Sequence, residues 1–102
     1  MEQTATTPAD AREALRDVID PELGVSIVDL GLVYGLAIEN GAATVVMTTT
    51  SPMCPLGAVL TRGVEDRLMQ LEGVDSVEVH LVNEPPWTAD RLSDKARTIL
   101  GM

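Results

Sequence analysis

The chain lacks most of what a self-contained metal or redox site is built from: it has one cysteine, Cys54, and one histidine, His80, in 102 residues. A lone thiol forms no intrachain disulfide. Iron-sulfur clusters ordinarily take four thiolates, and structural zinc takes four Cys, His or carboxylate ligands. Aromatic residues are equally scarce: Tyr34 and Trp87 are the only two, and phenylalanine is absent. The core must therefore be aliphatic, and there is no aromatic platform on which bases could stack. Seven basic residues stand against 16 acidic ones, for a formal net charge of -9. That balance repels phosphate backbones and anionic membrane surfaces, which disfavours nucleic acid as a partner. Apolar runs fall far short of the roughly 18 residues of a membrane span. The opening MEQTATTPAD has neither the basic nor the apolar region of a signal peptide. The expectation is a soluble, cytoplasmic protein with a free thiol.

What is present is enough for one core. With 45% hydrophobic residues, the chain fits a single compact domain over residues 8–102, after a flexible tail of residues 1–7. Ala11, Ala14, Leu15, Val18 and Ile19 recur at helical spacing behind Pro8, which predicts a first helix from about Pro8 to Val18, ended by Asp20-Pro21. Leu32 to Glu39 and Ala42 to Thr49 flank Asn40-Gly41, a strong signal for a hairpin with a type I′ turn. Leu32, Tyr34, Leu36 and Ile38 are its expected core face. Leu56, Leu60, Val64, Leu68 and Leu71 stack on one side of a second helix, with Gly73 as its expected cap. Val74 to Val82 alternates as a third strand, with Val77, Val79 and Leu81 facing one way, and a last helix from about Ser93 carries Ala96, Ile99 and Leu100. The predicted fold is α/β (α+β): order α-β-β-α-β-α, a small mixed three-stranded sheet with helices packed on one face.

Polar residues gather at three element ends: Asp20-Pro21-Glu22, Asp29-Leu30-Gly31, and Thr48-Thr49-Thr50-Ser51 leading to Cys54. Element ends are where a rigid scaffold usually presents function. Cys54 stands at or just before the second helix, with Pro55 in a favoured early helical position. Unpaired backbone N–H groups and the helix dipole there favour a thiolate, which is both the nucleophilic and the metal-binding form. Packing residue, nucleophile and metal ligand are three open readings of this thiol, since inert buried cysteines are common and Met53 and Leu56 are apolar. Asp20 and Asp29 have an ordinary alternative as cap or turn formers, and Thr48 to Ser51 as a strand end and capping run. His80 reads as a surface residue on the face opposite Val79 and Leu81. Spacing does not exclude a Cys-His catalytic pair, although the only imidazole lies far along the chain from Cys54. Trp87, after two prolines, reads as a clamp for the last segment.

Taken together, the strings DPELGVSIVDLGLVYGLAI, TTTSPMCP and NEPPWTADRLSDKARTILG resemble the small iron-sulfur cluster assembly domain of SufT-type and PaaD-type proteins, also called domain of unknown function fifty-nine. The resemblance runs from about residue 10 to 101. It implies a fold similar to the cluster-carrier domain of NifU-type scaffolds (the NifU C-terminal domain), and a non-enzymatic role in maturing or delivering iron-sulfur clusters. On this reading Cys54 is the metal ligand, in contact with iron or a cluster held transiently, or with none in the isolated protein. Asp20 and Glu22 lie in the family's shared loop, where they shape the pocket beside the thiol or donate a carboxylate. Thr49, in the threonine-rich strand end, completes the expected site. Missing ligands would come from a homodimer mate, from an iron-sulfur client or scaffold protein, or from a small thiol. The chain has neither the extra C-terminal cysteines of PaaD-type members nor the long N-terminal extension of some SufT-type chains, so a stand-alone general maturation factor is expected. Two other classes stand beside this one: a thiol-dependent enzyme or redox sensor with Cys54 as nucleophile, and an interaction module whose acidic surface and Trp87 recruit clients.

Overall fold

The computed structural model describes residues 6–50 and 57–101. Residues 1–5 of the expected tail lie outside the described residues, as do Ser51 to Leu56, with Cys54 and Pro55 among them. The first helix, α1, spans Pro8–Ala14 and continues into a 3-10 turn, Leu15–Asp17. A reciprocal capping box starts it: Asp10 N–H donates to the Thr7 hydroxyl at 3.1 Å and Thr7 N–H to the Asp10 carboxylate at 3.2 Å. Thr6 is tied to the Glu72 carbonyl by its N–H at 3.3 Å and by its hydroxyl at 2.7 Å. The helix predicted to reach Val18 thus tightens in its last turn, and Ala11, Ala14 and Leu15 are buried.

Two very short strands follow, β1 (Ile19–Asp20) and β2 (Val25–Ser26), paired antiparallel with Ile19 opposite Ser26 and Asp20 opposite Val25. Sequence patterning missed them because two residues are too few to show a period. Then come β3 (Val33–Glu39), β4 (Ala42–Met47), helix α2 (Gly57–Met69), β5 (Ser76–Leu81) and helix α3 (Asp94–Leu100). The sheet order is β3-β4-β5, with β3 antiparallel and β5 parallel to β4. This is the expected α-β-β-α-β-α order and mixed three-stranded sheet, with the β1–β2 ladder in addition. The hairpin turn has positive φ at both Asn40 (51°) and Gly41 (84°), as a type I′ turn requires. No tight turn can join parallel strands, so α2 serves as the crossover from β4 to β5.

Ala43, Val45 and Met47 of β4 are buried and lie in register with Val77, Val79 and Leu81 of β5. On β3 the structure corrects the expected face. Val33 pairs with Met47 but Gly35 pairs with Val46, so Tyr34 is an extra residue in a bulge. The bulge shifts parity: Val33 joins the core, Leu36 and Ile38 still pack against it, and Tyr34 turns aside to donate its hydroxyl to the Pro85 carbonyl at 2.8 Å. Helix α2 buries Leu60, Val64 and Leu68 against this sheet, a contribution of about 1.5–3 kcal/mol for each such side chain. Gly73 does not cap α2 directly. The helix ends at Met69, and bonds such as Leu71 N–H to Leu68 O (3.0 Å) tighten the chain first, with Gly73 taking a φ of 85° farther on.

The largest departure from the pattern is the segment between β2 and β3. Ile27, Val28, Leu30 and Leu32 are all buried although the chain there is neither helix nor extended strand. Its backbone groups are satisfied in turns: Leu30 N–H bonds Ser26 O, Gly31 N–H bonds Val28 O and Leu32 N–H bonds Ile27 O, each at 3.0 Å. Among the described residues no helix is long and apolar enough to cross a membrane.

Gly31 and Gly24 separate two kinds of glycine requirement. Both have positive φ, 75° and 69°, but a Cβ on Gly31 would sit 2.6 Å from the Arg91 Cβ, whereas one on Gly24 meets nothing within 4 Å. Gly24→Ala is expected to cost about 1 kcal/mol from conformation alone. Gly31→Ala adds a clash and is expected to cost about 3 kcal/mol or more. Urea unfolding of the two variants checks the difference; equal midpoints would contradict it.

Candidate functional site

Parallel strands β4 and β5 end on the same side of the molecule, and the chain leaving each meets the other there. Val82 N–H bonds the Met47 carbonyl at 2.9 Å, and Thr48 N–H bonds the Leu32 carbonyl at 2.9 Å. Beyond these bonds Thr48, Thr49 and Thr50 face Asn83, Pro86 and Trp87 across a hollow of about 70 Å³. Its described walls carry hydroxyls, an amide and an indole. That volume is small beside the roughly 300–1,000 Å³ of sites for organic ligands. The carboxyl ends of parallel strands are a common place for ligands, because side chains from separate elements converge there.

Trp87 is fixed from the far side. Its indole Nε1 donates to the Leu30 carbonyl at 2.6 Å and its ring packs on the core, so the clamp expected from sequence is present. The start of α2 closes the other side: a Cβ on buried Gly57 would lie 3.8 Å from the Thr49 methyl and 3.3 Å from the Leu81 Cδ1. The strand end and the helix start that flank the segment carrying Cys54 therefore lie close together. Cys54 itself, the expected metal ligand, lies outside the described residues.

The other expected site residues fall in different places. Thr49 is half-buried on the wall of the hollow. Asp20 is buried, 2% exposed, and its Oδ1 accepts from the N–H groups of Glu22 (2.8 Å) and Leu23 (3.3 Å). This is an aspartate-initiated turn, the alternative that its position before Pro21 allowed. Glu22 is exposed. His80 is exposed on β5, with Nε2 3.3 Å from the Glu78 carboxylate, as its place on the strand led one to expect. No group of three or more His, Cys, Asp or Glu side chains able to hold a metal ion occurs among the described residues.

Asp29 turns out to be the structural centre beneath the site. It is 6% exposed, and its Oδ1 accepts from Arg16 Nη1 and the Ser93 hydroxyl, both at 2.9 Å, while Oδ2 accepts from the Ser26 hydroxyl at 3.1 Å. Burial pushes its pKa up, but the bonds from Ser93, Ser26 and Arg16 together outweigh burial and hold it below the ordinary 3.8. Sequence reading singled out Asp29 but missed its partners. Ser93, 64 residues away, is legible only as a helix cap, and Asn83 only as a polar residue after a strand.

Comparison with known proteins places this geometry. The family described as "Iron-sulfur cluster assembly protein" matches residues 8–81. The chain is 47% identical to the Fe-S protein maturation auxiliary factor YitW of Bacillus subtilis, over 87% of this chain and 88% of that one. It is 44% identical to the Fe-S protein maturation auxiliary factor SufT of Staphylococcus aureus, over 83% of this chain and 98% of that one. Among solved structures, a crystal structure of the domain of unknown function DUF59 from Bacillus anthracis superposes with a TM-score of 0.89 at 40% identity, covering 93% of this chain and 92% of that one.

Two outcomes follow from the Asp29 cluster. Because its pKa is lowered on folding, the stability it contributes is complete above the ordinary value of 3.8 and is lost as pH falls through the lower folded value. Asp29→Asn should cost about 1–3 kcal/mol at pH 7 and flatten the acid limb of the stability curve. Chemical denaturation from pH 7 down to about pH 2 checks this, and an unchanged acid limb would contradict it. Trp87→Phe, which leaves the Leu30 carbonyl without its donor, should cost about 1–2 kcal/mol by the same measurement.

Proposed function

The chain belongs to the iron-sulfur cluster assembly protein family, and on that premise we propose that it matures iron-sulfur proteins, with Cys54 contacting iron or a cluster on its way to a client. The cluster is cargo, and the protein works without a catalytic cycle of its own. The observation that carries this reading is the convergence of Thr48–Thr50 with Asn83, Pro86 and Trp87 where the two parallel strands end. The chain runs from that convergence directly into the segment with its only thiol, and returns to it at Gly57. The relatives' names as maturation auxiliary factors support a helper rather than an enzyme.

Single-thiol ligation suits transfer. A cluster held by few protein ligands is released more readily than one held by four, so the remaining ligands come from the client, a scaffold protein or a small thiol. The start of α2 brings the positive end of a helix dipole near that segment, which favours the thiolate. Thr49 lines the approach. Asp20 shapes its own turn, from Asp20 to Leu23, since its carboxylate already accepts two backbone bonds. Glu22, exposed beside it, is the carboxylate of that pair open to a ligand. A free thiol of this kind fits a reducing cytoplasm.

The test is anaerobic reconstitution with ferrous iron and sulfide, followed by transfer to an apo client, for wild type and Cys54→Ser. The wild type is expected to show cluster absorption and to activate the client, and the variant to lose more than about tenfold in transfer. Equal transfer by the two proteins would overturn the role of Cys54.

A further inference from the structure

The outward face of α2 carries a pattern that folding of one copy leaves unused. Val59, Arg62, Asp66 and Met69 follow one another at steps of three, four and three, the spacing of a contact seam between paired helices. At 3.6 residues per turn they lie within about a quarter of the circumference, on the side opposite the buried Leu60, Val64 and Leu68. Val59 and Met69 are 55% and 48% exposed. Arg62 and Asp66 are exposed and, although one helical turn apart, have no ion-pair or hydrogen-bond partner among the described residues. Of the other two charges on α2, Arg67 bonds Asp17 at 2.9 Å, while Glu65 has no partner among the described residues either.

The seam reads the same in both directions once charge is inverted. It runs apolar, positive, negative, apolar. Laid antiparallel on its own copy about a two-fold axis at Val64, it sets Arg62 against Asp66 and Val59 against Met69, twice over. We propose that α2 is a self-complementary contact and that its occupant is a second copy of this chain. Beside Val59 lies a hollow of about 330 Å³ walled by Ile19, Gly63 and Asp66 among others, into which Met69 of the second copy fits. Gly63 keeps that hollow open, since it has no side chain to fill it. One helix pair of this length buries less than the roughly 1,200 Å² of a standard stable interface, so the dimer is weak and concentration-dependent.

The arrangement also bears on the site. Antiparallel pairing puts the two helix starts at Gly57 about 20 Å apart, at a rise of about 1.5 Å per residue. Sedimentation velocity over a wide concentration range tests the contact. The wild type is expected to dimerise reversibly. Arg62→Asp and Asp66→Arg are each expected to weaken the dimer about tenfold or more, because both ion pairs become like-charge pairs. The double variant, and an equimolar mixture of the two single variants, are expected to regain it. Arg62 and Asp66 are exposed, and circular dichroism verifies that each variant is folded. A wild type that stays monomeric throughout, as it would if the seam served a different protein, overturns the proposal, and so do single variants that associate like the wild type. Cys54→Ser should dimerise normally, so the outcome is independent of the thiol's role.

Discussion

Hydrogen bonds to one buried carboxylate and its own backbone hold the parts of this domain in their relative places. Asp29 accepts from Arg16, at the end of the first helical segment, from Ser26 beside it in the chain, and from Ser93, whose N–H also donates to the Asp29 carbonyl at 2.8 Å. The Ser93 hydroxyl is at the same time the cap of α3, accepting the Ala96 N–H at 3.1 Å. One charge thus fixes where the last helix begins and against what it docks. Placing a carboxylate among aliphatic side chains is unfavourable until every donor is in position, so the cluster tolerates only one arrangement of the three segments. Arg16 is partly exposed, and solvent screens its share; the two serine hydroxyls do more of the holding.

That constraint explains why a functional surface can rest on irregular chain. The buried run from Val25 to Leu32 has no long strand or helix to keep it in place, yet its carbonyls at Leu30 and Leu32 receive Trp87 and Thr48. With Asp29 anchored, both carbonyls are held at fixed positions. The hollow at the ends of β4 and β5 inherits its shape from them, and the threonines and the indole are oriented from behind instead of by contact with whatever binds.

Much of this was legible in the residues. The hairpin followed from Asn40-Gly41, the stripe of α2 from Leu60, Val64 and Leu68, and the last helix from Ser93 and Gly101. The resemblance carried by the strings around Asp20, Thr48 and Trp87 led to the family. What escaped was non-local or too short. A one-residue bulge at Tyr34 changes which side chains face inward without altering alternation in the string. The β1–β2 ladder has no period to read, and Gly73 looked like a cap because the intervening i to i+3 bonds leave no compositional mark. Thr49 lies just past the end of β4, on the wall of the hollow. Asp20 was singled out, but its backbone bonds depend on a turn geometry that sequence only permits.

The closeness of Gly57 to Thr49 bears on the entropy of joining β4 to α2. Closing a loop costs an entropy that grows slowly with its length. Here α2 packs against β5, and β5 pairs with β4 from Ala42 to Met47, so contacts among the described residues already bring the strand end and the helix start together and offset that closure cost.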